Sequence, residues 1–240
     1  MNKLRALLAS NKKRGSFRAE GNTIYIYDMI VADDFEAEWF GGVSPSAFID
    51  ALSGIKGDVA IRINSPGGDV FGAVAICQAM REHEGAITVH VDGYAASAAS
   101  VIAVAAPKVI MAPGSFMMIH QASTLAWGNA DDFVGVVDLL EKVDGTIAES
   151  YAKKSGGEVA KFRDLMAKET WFTASEAVEI GIADAIAEDN PSATAKWDMS
   201  AFTAAPKLPE PPVETEPAKP ANTIAQRVRQ HAARMLERAA

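Results

Sequence analysis

The sequence predicts an α/β fold in which a largely parallel sheet is flanked by helices. Short β-branched segments alternate with longer segments whose apolar residues recur at helical spacing, and glycine or proline separates many of them. The 240 residues are 49% hydrophobic, which is enough for the core of one large domain with appendages. Strand–helix–strand repeats of this kind favour parallel pairing with right-handed crossovers.

Strands are expected where β-branched and aromatic residues cluster or alternate between turn signals. They fall at 23–28, 58–63, 86–92, 108–112, 115–120, 170–173 and 182–186. Helices are expected where apolar residues recur at three- and four-residue steps. They fall at 44–52, 70–81, 95–106, 129–154, 158–168 and 174–180. Ser44 before Pro45 is typical of a helix start, as is the capping-box pair Thr173 and Glu176.

The two ends of the chain differ in composition from its middle. Residues 1–20 carry six Lys/Arg and one acidic residue, which predicts a basic, flexible segment with a short helix at 3–10. Residues 191–222 contain seven prolines and little that could form a core, so a disordered linker is expected. A basic helical tail is expected over 223–240, which leaves 21–190 as the folded domain.

Charge and motif content exclude several classes of protein. The net charge is −8, and residues 21–190 alone carry ten basic and twenty-five acidic side chains, which argues against nucleic-acid binding. Apolar runs are too short for a membrane span, and the first residues make a poor signal peptide. The single cysteine, Cys77, excludes an internal disulfide and is expected to be buried. Metal-ligand spacings and nucleotide-binding motifs are absent, so no metal or cofactor is expected.

An uncharged run of small residues over 93–106 is the first candidate for chemistry. It follows the strand at 86–92, so a helix that begins near Ser97 would present this hydroxyl group beside free backbone N–H groups. Such N–H groups stabilise a developing anion, which makes Ser97 a candidate nucleophile. The alternative is a buried Ala/Ser helix that packs tightly and has no chemical role. Ser100, one turn inside the helix, is expected to be a packing residue.

A serine nucleophile needs a base and an oxyanion pocket. His120 ends an alternating strand and is the best candidate base, although a strand-end histidine with a purely structural role is the alternative. His83 and His90 are expected to be structural or exposed, and His231 lies in the tail. The turn at 66–68 contains two glycines, whose backbone N–H groups a ligand can approach closely.

Four segments resemble, in order, the motifs of the ClpP serine peptidases: 64–68, 93–99, 117–121 and 176–184. The resemblance covers residues 23–188. It implies the crotonase-like ββα superhelix of that family, with 129–154 as the long handle helix. Residues 127–132 and 169–174 look most like the phage-type members, which are head maturation (prohead) proteases.

The resemblance also implies a set of site residues. Ser97 matches the nucleophile and His120 the general base, and the N–H groups of Gly68 and Ala98 match the oxyanion hole. Glu169 stands where the family usually has the aspartate of the triad, so it is the expected third member, with Asp164 and Asp184 as alternatives. Substrate would lie extended along two segments: Gly67, Gly68, Asp69 and Val70, and Ser123, Thr124 and Leu125.

The function implied by the resemblance is that of an ATP-independent serine endopeptidase. Its expected substrates are phage capsid or scaffold proteins, cleaved during head maturation in the procapsid or the host cytoplasm. Family members stack into rings, so a homo-oligomer is expected. Two alternatives remain: a catalytically inactive scaffolding or assembly protein of the same fold, and a crotonase-type acyl-CoA enzyme.

Overall fold

The structure, a computed structural model, describes residues 3–188 and 197–206. In these residues the helices are α1 (Lys3–Asn11), α2 (Asp34–Phe40), α3 (Pro45–Ser53), α4 (Val70–Glu82), α5 (Ala98–Ala105), α6 (Ala130–Ser155), α7 (Val159–Ala167) and α8 (Ala174–Ile180). The strands are β1 (Ser16–Glu20), β2 (Thr23–Tyr27), β3 (Val59–Ser65), β4 (Ile87–Ala96), β5 (Lys108–Met111), β6 (Phe116–Ile119), β7 (Thr170–Thr173) and β8 (Ala185–Ile186).

Strand β4 is the centre of the sheet because it changes partner along its length. The described strands run in the order β1-β2-β3-β4-β5-β8, with β2, β3, β4, β5 and β8 parallel and β1 antiparallel at the edge. The first half of β4 pairs with β5, whereas Tyr94, Ala95 and Ala96 pair with β6. Strand β7 then adds to β6 in antiparallel orientation. The predicted α/β class with largely parallel pairing is therefore confirmed.

Helix α5 lies in the middle of the hydrophobic core. Every residue from Ala98 to Val104 is buried, and α5 packs against α4, α6 and β4. Its alanines allow this close approach because they carry the smallest side chains compatible with a good helix former. The core around α5 contains apolar residues of all the central strands, including Ile63, Val91 and Met117.

Most predicted elements lie where the sequence places them. Helix α6 is capped by the side chain of Asn129 and ends at Gly156, and Thr173 with Glu176 forms the predicted capping box of α8. The predicted boundary at the small-residue run is wrong: β4 continues to Ala96, and α5 begins only at Ala98. The physical reason is pairing with β6, which fixes alanines of high helix propensity in an extended ladder.

Both ends of the described chain differ from the expectation of flexible segments. At the N-terminal end the predicted short helix is present as α1, with Leu7 buried, and β1 forms a hairpin with β2. At the other end, residues 197–206, here termed the C-terminal strap, bury Trp197 and Phe202 against the domain. These two aromatic side chains provide the apolar surface that the proline-rich composition of 191–222 otherwise lacks.

The predicted tail at 223–240 lies outside the described residues. By contacts, the chain divides into two units, Met1–Ala205 and Pro206–Ala240. Within the described ranges, no helix is both long and apolar enough to cross a membrane.

Candidate active site

Ser97 occupies a sharp turn between β4 and α5. Its φ of 53° and ψ of −124° are unusual for a residue with a side chain, and such strain is frequently found at functional sites. Its backbone N–H donates to the carbonyl oxygen of Met118 at 2.9 Å, which extends the β4–β6 ladder to the turn itself. Ala98 is the first residue of α5, where backbone N–H groups have no partner within the helix.

The glycine turn of residues 66–68 lies against the same corner. A Cβ atom on Gly67 would fall 2.7 Å from the Cβ of Ser97, and one on Gly68 would fall 1.9 Å from the carbonyl oxygen of Ile30. Both glycines have positive φ, 92° and 147°. The sequence needs glycine here for two reasons, backbone conformation and close approach. Gly67 lies against Ser97 and Ala98, and Gly68 lines the same cavity as these two residues.

His120 follows β6 and faces Ser97. The Ser97 Oγ and the His120 Nε2 are 2.7 Å apart, which is a hydrogen bond between a hydroxyl group and an imidazole. The His120 ring also forms a T-shaped contact with the ring of Phe202 in the strap, with centroids 5.4 Å apart and planes at 83°. The two residues that the sequence selects as nucleophile and base are therefore in direct contact.

Glu169 lies beside His120 at the same end of the sheet. Ile119 and Thr170 are the last register partners of the antiparallel β6–β7 pair, and His120 directly follows this pair on one strand while Glu169 directly precedes it on the other. Glu169 is only 8% exposed, and its φ is 51°. Its carboxylate accepts a hydrogen bond of 2.6 Å from the backbone N–H of Ala204 in the strap.

The two alternative acids lie in other surroundings. Asp184 accepts hydrogen bonds from the N–H of Val109 at 2.6 Å and from the Lys154 ammonium group at 2.7 Å. Asp164 is exposed on α7. Neither carboxylate lines the cavity at Ser97 and His120.

Ser100 has a polar role that the sequence reasoning missed. Its hydroxyl group donates to the carbonyl oxygen of Ser97 at 2.6 Å and lies 2.7 Å from the hydroxyl group of Tyr151 on α6. Since a serine has one hydroxyl proton, Tyr151 must be the donor in the second contact. Complete burial raises the pKa of Tyr151, so this tyrosine stays neutral and keeps that proton.

A cavity of about 140 Å³ opens next to Ser97 and His120. Its walls are mostly apolar and come from six parts of the chain: α1, the turn before α4 with the start of that helix, α5 with the turn before it, the segment after β6, α6 and the C-terminal strap. The side chains and backbone that line it include Gly68, Ala98, Val101, Leu140, Val143, Ile147, Leu7 and Phe202. A pocket of this kind accepts an apolar group and leaves the Ser97 hydroxyl at its edge.

Five of the seven residues expected to bind substrate line this cavity: Gly68, Asp69, Val70, Ser123 and Thr124. Gly67 lies beneath the turn, against Ser97, and Leu125 is 38% exposed outside the cavity walls. The segment after His120 is held by the buried Asp144, whose carboxylate accepts from the N–H of Ala122 at 2.7 Å. Burial raises the pKa of Asp144.

The remaining histidines and the cysteine match their expected minor roles. His83 Nε2 lies 2.7 Å from the carbonyl oxygen of Gly57, and His90 is half-buried in β4. Burial and the nearby Arg62 lower the pKa of His90. Cys77 is buried in α4, and burial raises the pKa of its thiol to about 12. His231 lies outside the described residues.

Comparison with known proteins identifies the family. A family model described as "Clp protease" matches residues 47–190, more than half of the chain. An "ATP-dependent Clp protease proteolytic subunit" of Streptococcus agalactiae serotype V is 32% identical over 147 residues, covering 60% of this chain and 74% of the relative. "ATP-dependent Clp protease proteolytic subunit 3" of Rhodococcus jostii is 33% identical over 133 residues, covering 55% and 66%. The chain therefore belongs to the Clp protease family and is a serine-type peptidase.

Proposed function

We propose that the chain hydrolyses peptide bonds through a triad of Ser97, His120 and Glu169. The observation that carries this proposal is the 2.7 Å contact between the Ser97 Oγ and the His120 Nε2, at a strained turn on the edge of an apolar cavity. A hydroxyl group is a weak nucleophile until a base removes its proton, and an imidazole at hydrogen-bond distance is the base that this chemistry uses.

In this mechanism the Ser97 Oγ attacks the carbonyl carbon of a peptide bond while its proton passes to the His120 Nε2. The negative charge that develops on the carbonyl oxygen is stabilised by the backbone N–H groups of Gly68 and Ala98. His120 then delivers the proton to the departing amine, which leaves an acyl group on Ser97. Water attacks this ester with His120 again as base, and the peptide acid is released.

Glu169 orients His120 and stabilises the imidazolium that forms during attack. The antiparallel pairing of β6 and β7 supports this role, because His120 and Glu169 flank the last register pair, Ile119 and Thr170. Burial supports it as well, since a carboxylate that is 8% exposed exerts its charge in a medium of low dielectric constant. Peptide cleavage by this chemistry needs no ATP.

The substrate backbone is proposed to pair in extended form between Gly68–Val70 and Ser123–Leu125. Support comes from the cavity walls, to which both segments contribute. The apolar lining from α5 and α6 favours an apolar substrate side chain next to the cleaved bond.

Labelling with a fluorophosphonate tests the assignment. The wild-type chain is expected to react once, at Ser97 as located by peptide mass spectrometry, and Ser97→Ala and His120→Ala are expected to lose the label. Ser123→Ala is the matched control, because this serine also lines the cavity but has no role as nucleophile. A folded wild-type chain that stays unlabelled, or a label that survives in Ser97→Ala, would contradict the proposal.

We further propose that the substrates are capsid or scaffold proteins of a phage, processed by a ring of identical subunits during head maturation. The resemblance of residues 127–132 and 169–174 to the prohead proteases supports this. Co-expression with the phage's capsid protein should give cleavage by the wild-type chain and none by Ser97→Ala. Intact capsid protein beside a fluorophosphonate-reactive wild type would reject these substrates while keeping the peptidase.

An inactive assembly protein and a crotonase-type acyl-CoA enzyme are the competing functions. The contact between Ser97 and His120 favours the peptidase, because thioester chemistry on this fold needs no nucleophilic serine. Titration with coenzyme A separates the last two: saturable binding that depends on Gly68, without labelling of Ser97, would favour the acyl-CoA enzyme.

A further inference from the structure

We infer that the C-terminal strap is a positioning element of the active site, in which the backbone N–H of Ala204 orients the carboxylate of Glu169. This inference rests on the proposed role of Glu169 in the triad. The strap lies beyond residue 190, where the match to the Clp protease family ends. It is therefore an addition to the family's domain that reaches the reacting groups.

Two contacts connect the strap to the proposed triad. The N–H of Ala204 donates to Glu169 Oε1 at 2.6 Å, and the ring of Phe202 meets the His120 ring edge-on at 5.4 Å. A hydrogen bond from a backbone N–H to a carboxylate is charge-assisted and stabilises the ionised form. The strap thus holds the acid and the base of one proposed triad at the same time.

Glu169 needs such a partner because of its own backbone. Ser97, Glu169 and Lys13 are the non-glycine residues with positive φ in the described ranges, so two of three strained positions belong to the proposed triad. A strained residue keeps its conformation only where the surroundings determine it. The longer glutamate arm also has one more rotatable bond than aspartate, so a fixed backbone donor contributes to restricting its orientation.

The strap is itself anchored on both sides of the site. Trp197 Nε1 donates to the carbonyl oxygen of Asn64 at 3.1 Å, and Asn11 exchanges two hydrogen bonds with the backbone of Asp198, at 2.9 and 2.7 Å. Phe202 packs in one buried cluster with Leu7 of α1 and Met118 of β6. Helix α1 and the strap are therefore joined by hydrogen bonds at Asn11 and by apolar packing of Leu7 with Phe202, and both of these apolar residues line the cavity.

Ala204→Pro in the full chain tests the inference, because proline has no N–H to donate. We expect the rate of Ser97 labelling to fall about tenfold, through the rate of reaction at saturating reagent rather than through its binding. In a Glu169→Gln background the same substitution is expected to change the residual rate less than about twofold, because Ala204 acts through Glu169. Ala204→Ser keeps the backbone N–H and changes only an exposed side chain, so it is the conservative comparison and should retain the labelling rate that Ala204→Pro loses.

Two measurements keep the test decisive if Ala204→Pro folds poorly or if Ser97 is unreactive. Asn11→Ala loosens the strap without altering its sequence, and it should lower the labelling rate in the same, Glu169-dependent manner. The nitrogen-15 chemical shifts of the His120 ring report its tautomer, and both variants should shift them toward a mixture of tautomers. His83 and His90 serve as internal references.

The outcomes separate the inference from the proposed function. Unchanged His120 ring shifts and labelling in folded Ala204→Pro and Asn11→Ala overturn the positioning role, whatever the wild type does. Faster labelling in these variants also overturns it and indicates an inhibitory strap. If the two variants shift the His120 signals while the wild-type chain never labels at Ser97, the contact with the strap is supported and the peptidase mechanism is rejected.

Discussion

The Ser100 hydroxyl group donates a hydrogen bond of 2.6 Å to the carbonyl oxygen of Ser97. The same oxygen also accepts from the N–H of Ser100 at 2.9 Å. Together these bonds fix the residue whose φ is 53°, and the hydroxyl of Tyr151 supports them from α6 at 2.7 Å. The nucleophile's conformation is thus determined from inside the core as well as by the β4–β6 ladder.

Ser100→Ala is predicted to destabilise the chain more than Tyr151→Phe. Removing Ser100 leaves the buried Tyr151 hydroxyl without its acceptor, which costs about 1–3 kcal/mol, whereas Tyr151→Phe removes one hydrogen bond and costs about 1 kcal/mol. The double variant should lose less than the sum of the two single losses. Urea unfolding measures the free energy of unfolding of the two single variants and of the double variant.

Ser100→Ala should also slow labelling of Ser97, since it removes one of the two hydrogen bonds to the Ser97 carbonyl oxygen that hold the turn. Ser115→Ala is the matched control: Ser115 is likewise buried and donates to the carbonyl oxygen three residues earlier, at 2.8 Å, but at the end of β6 away from His120. We expect Ser115→Ala to lower the free energy of unfolding without slowing the labelling of Ser97. Equal labelling rates in Ser100→Ala and the wild type would mean that the turn holds without this bond.

Gly68→Ala is predicted to abolish labelling of Ser97. It should also lower the free energy of unfolding by more than the cost of placing alanine at a positive φ. The new Cβ would lie 1.9 Å from the carbonyl oxygen of Ile30, so the turn must move away from Ser97. Gly114→Ala is the control, because Gly114 has a φ of 79° but open space around its Cβ position. It should cost only about 1 kcal/mol, for the left-handed backbone, and retain full labelling. Similar behaviour of the two variants would contradict the steric argument.

The sequence predicts the parallel sheet, the handle helix α6 and the Ser97–His120 pair because these depend on local signals. Periodicity places α6, capping residues mark α8, and the alternating strand leads to His120. Helix propensity fails at Tyr94–Ala96, where pairing with β6 determines the conformation of alanines that prefer helix. Such pairing joins residues about 20 positions apart, and a local pattern does not contain it.

Long-range contacts also explain what the sequence reasoning missed at the site. Tyr151 is one of many apolar positions on α6, and only its distance to Ser100 shows its role. Phe202 lies in a proline-rich stretch whose average composition predicts disorder. A signal was present in the sequence: Trp197 and Phe202 are large aromatic residues in that stretch, and such residues are rare in disordered linkers.

Cys77 is predicted to resist alkylation in the folded chain. Burial raises the pKa of its thiol to about 12, so almost no thiolate is present at pH 8, and reagent cannot reach the sulfur. Iodoacetamide should modify it only after unfolding in urea, as followed by intact mass. Ser53→Cys, on the exposed end of α3, supplies a reactive thiol as control. Modification of Cys77 at the rate of this control would show that α4 opens readily.

Asp144 links stability near the site to pH. Burial is the main cause that raises the pKa of Asp144, so folding favours its protonated form. The stability that this protonated form contributes is fully present below the unfolded pKa of about 3.9 and is lost as pH rises through the folded pKa. Asp144→Asn imitates the protonated acid at every pH and retains an oxygen that can accept from Ala122.

The stability of Asp144→Asn relative to the wild type is therefore predicted to increase from pH 4 upward and to level off once the wild-type carboxyl group is ionised. Urea unfolding at a series of pH values measures this difference. Asp50→Asn, which exchanges an exposed carboxyl group on α3, is the matched control and should follow the wild-type curve. A constant difference would contradict the prediction by showing that burial and the hydrogen bond from Ala122 cancel. A difference that falls with pH would show that the hydrogen bond outweighs burial and that ionised Asp144 stabilises the segment after His120.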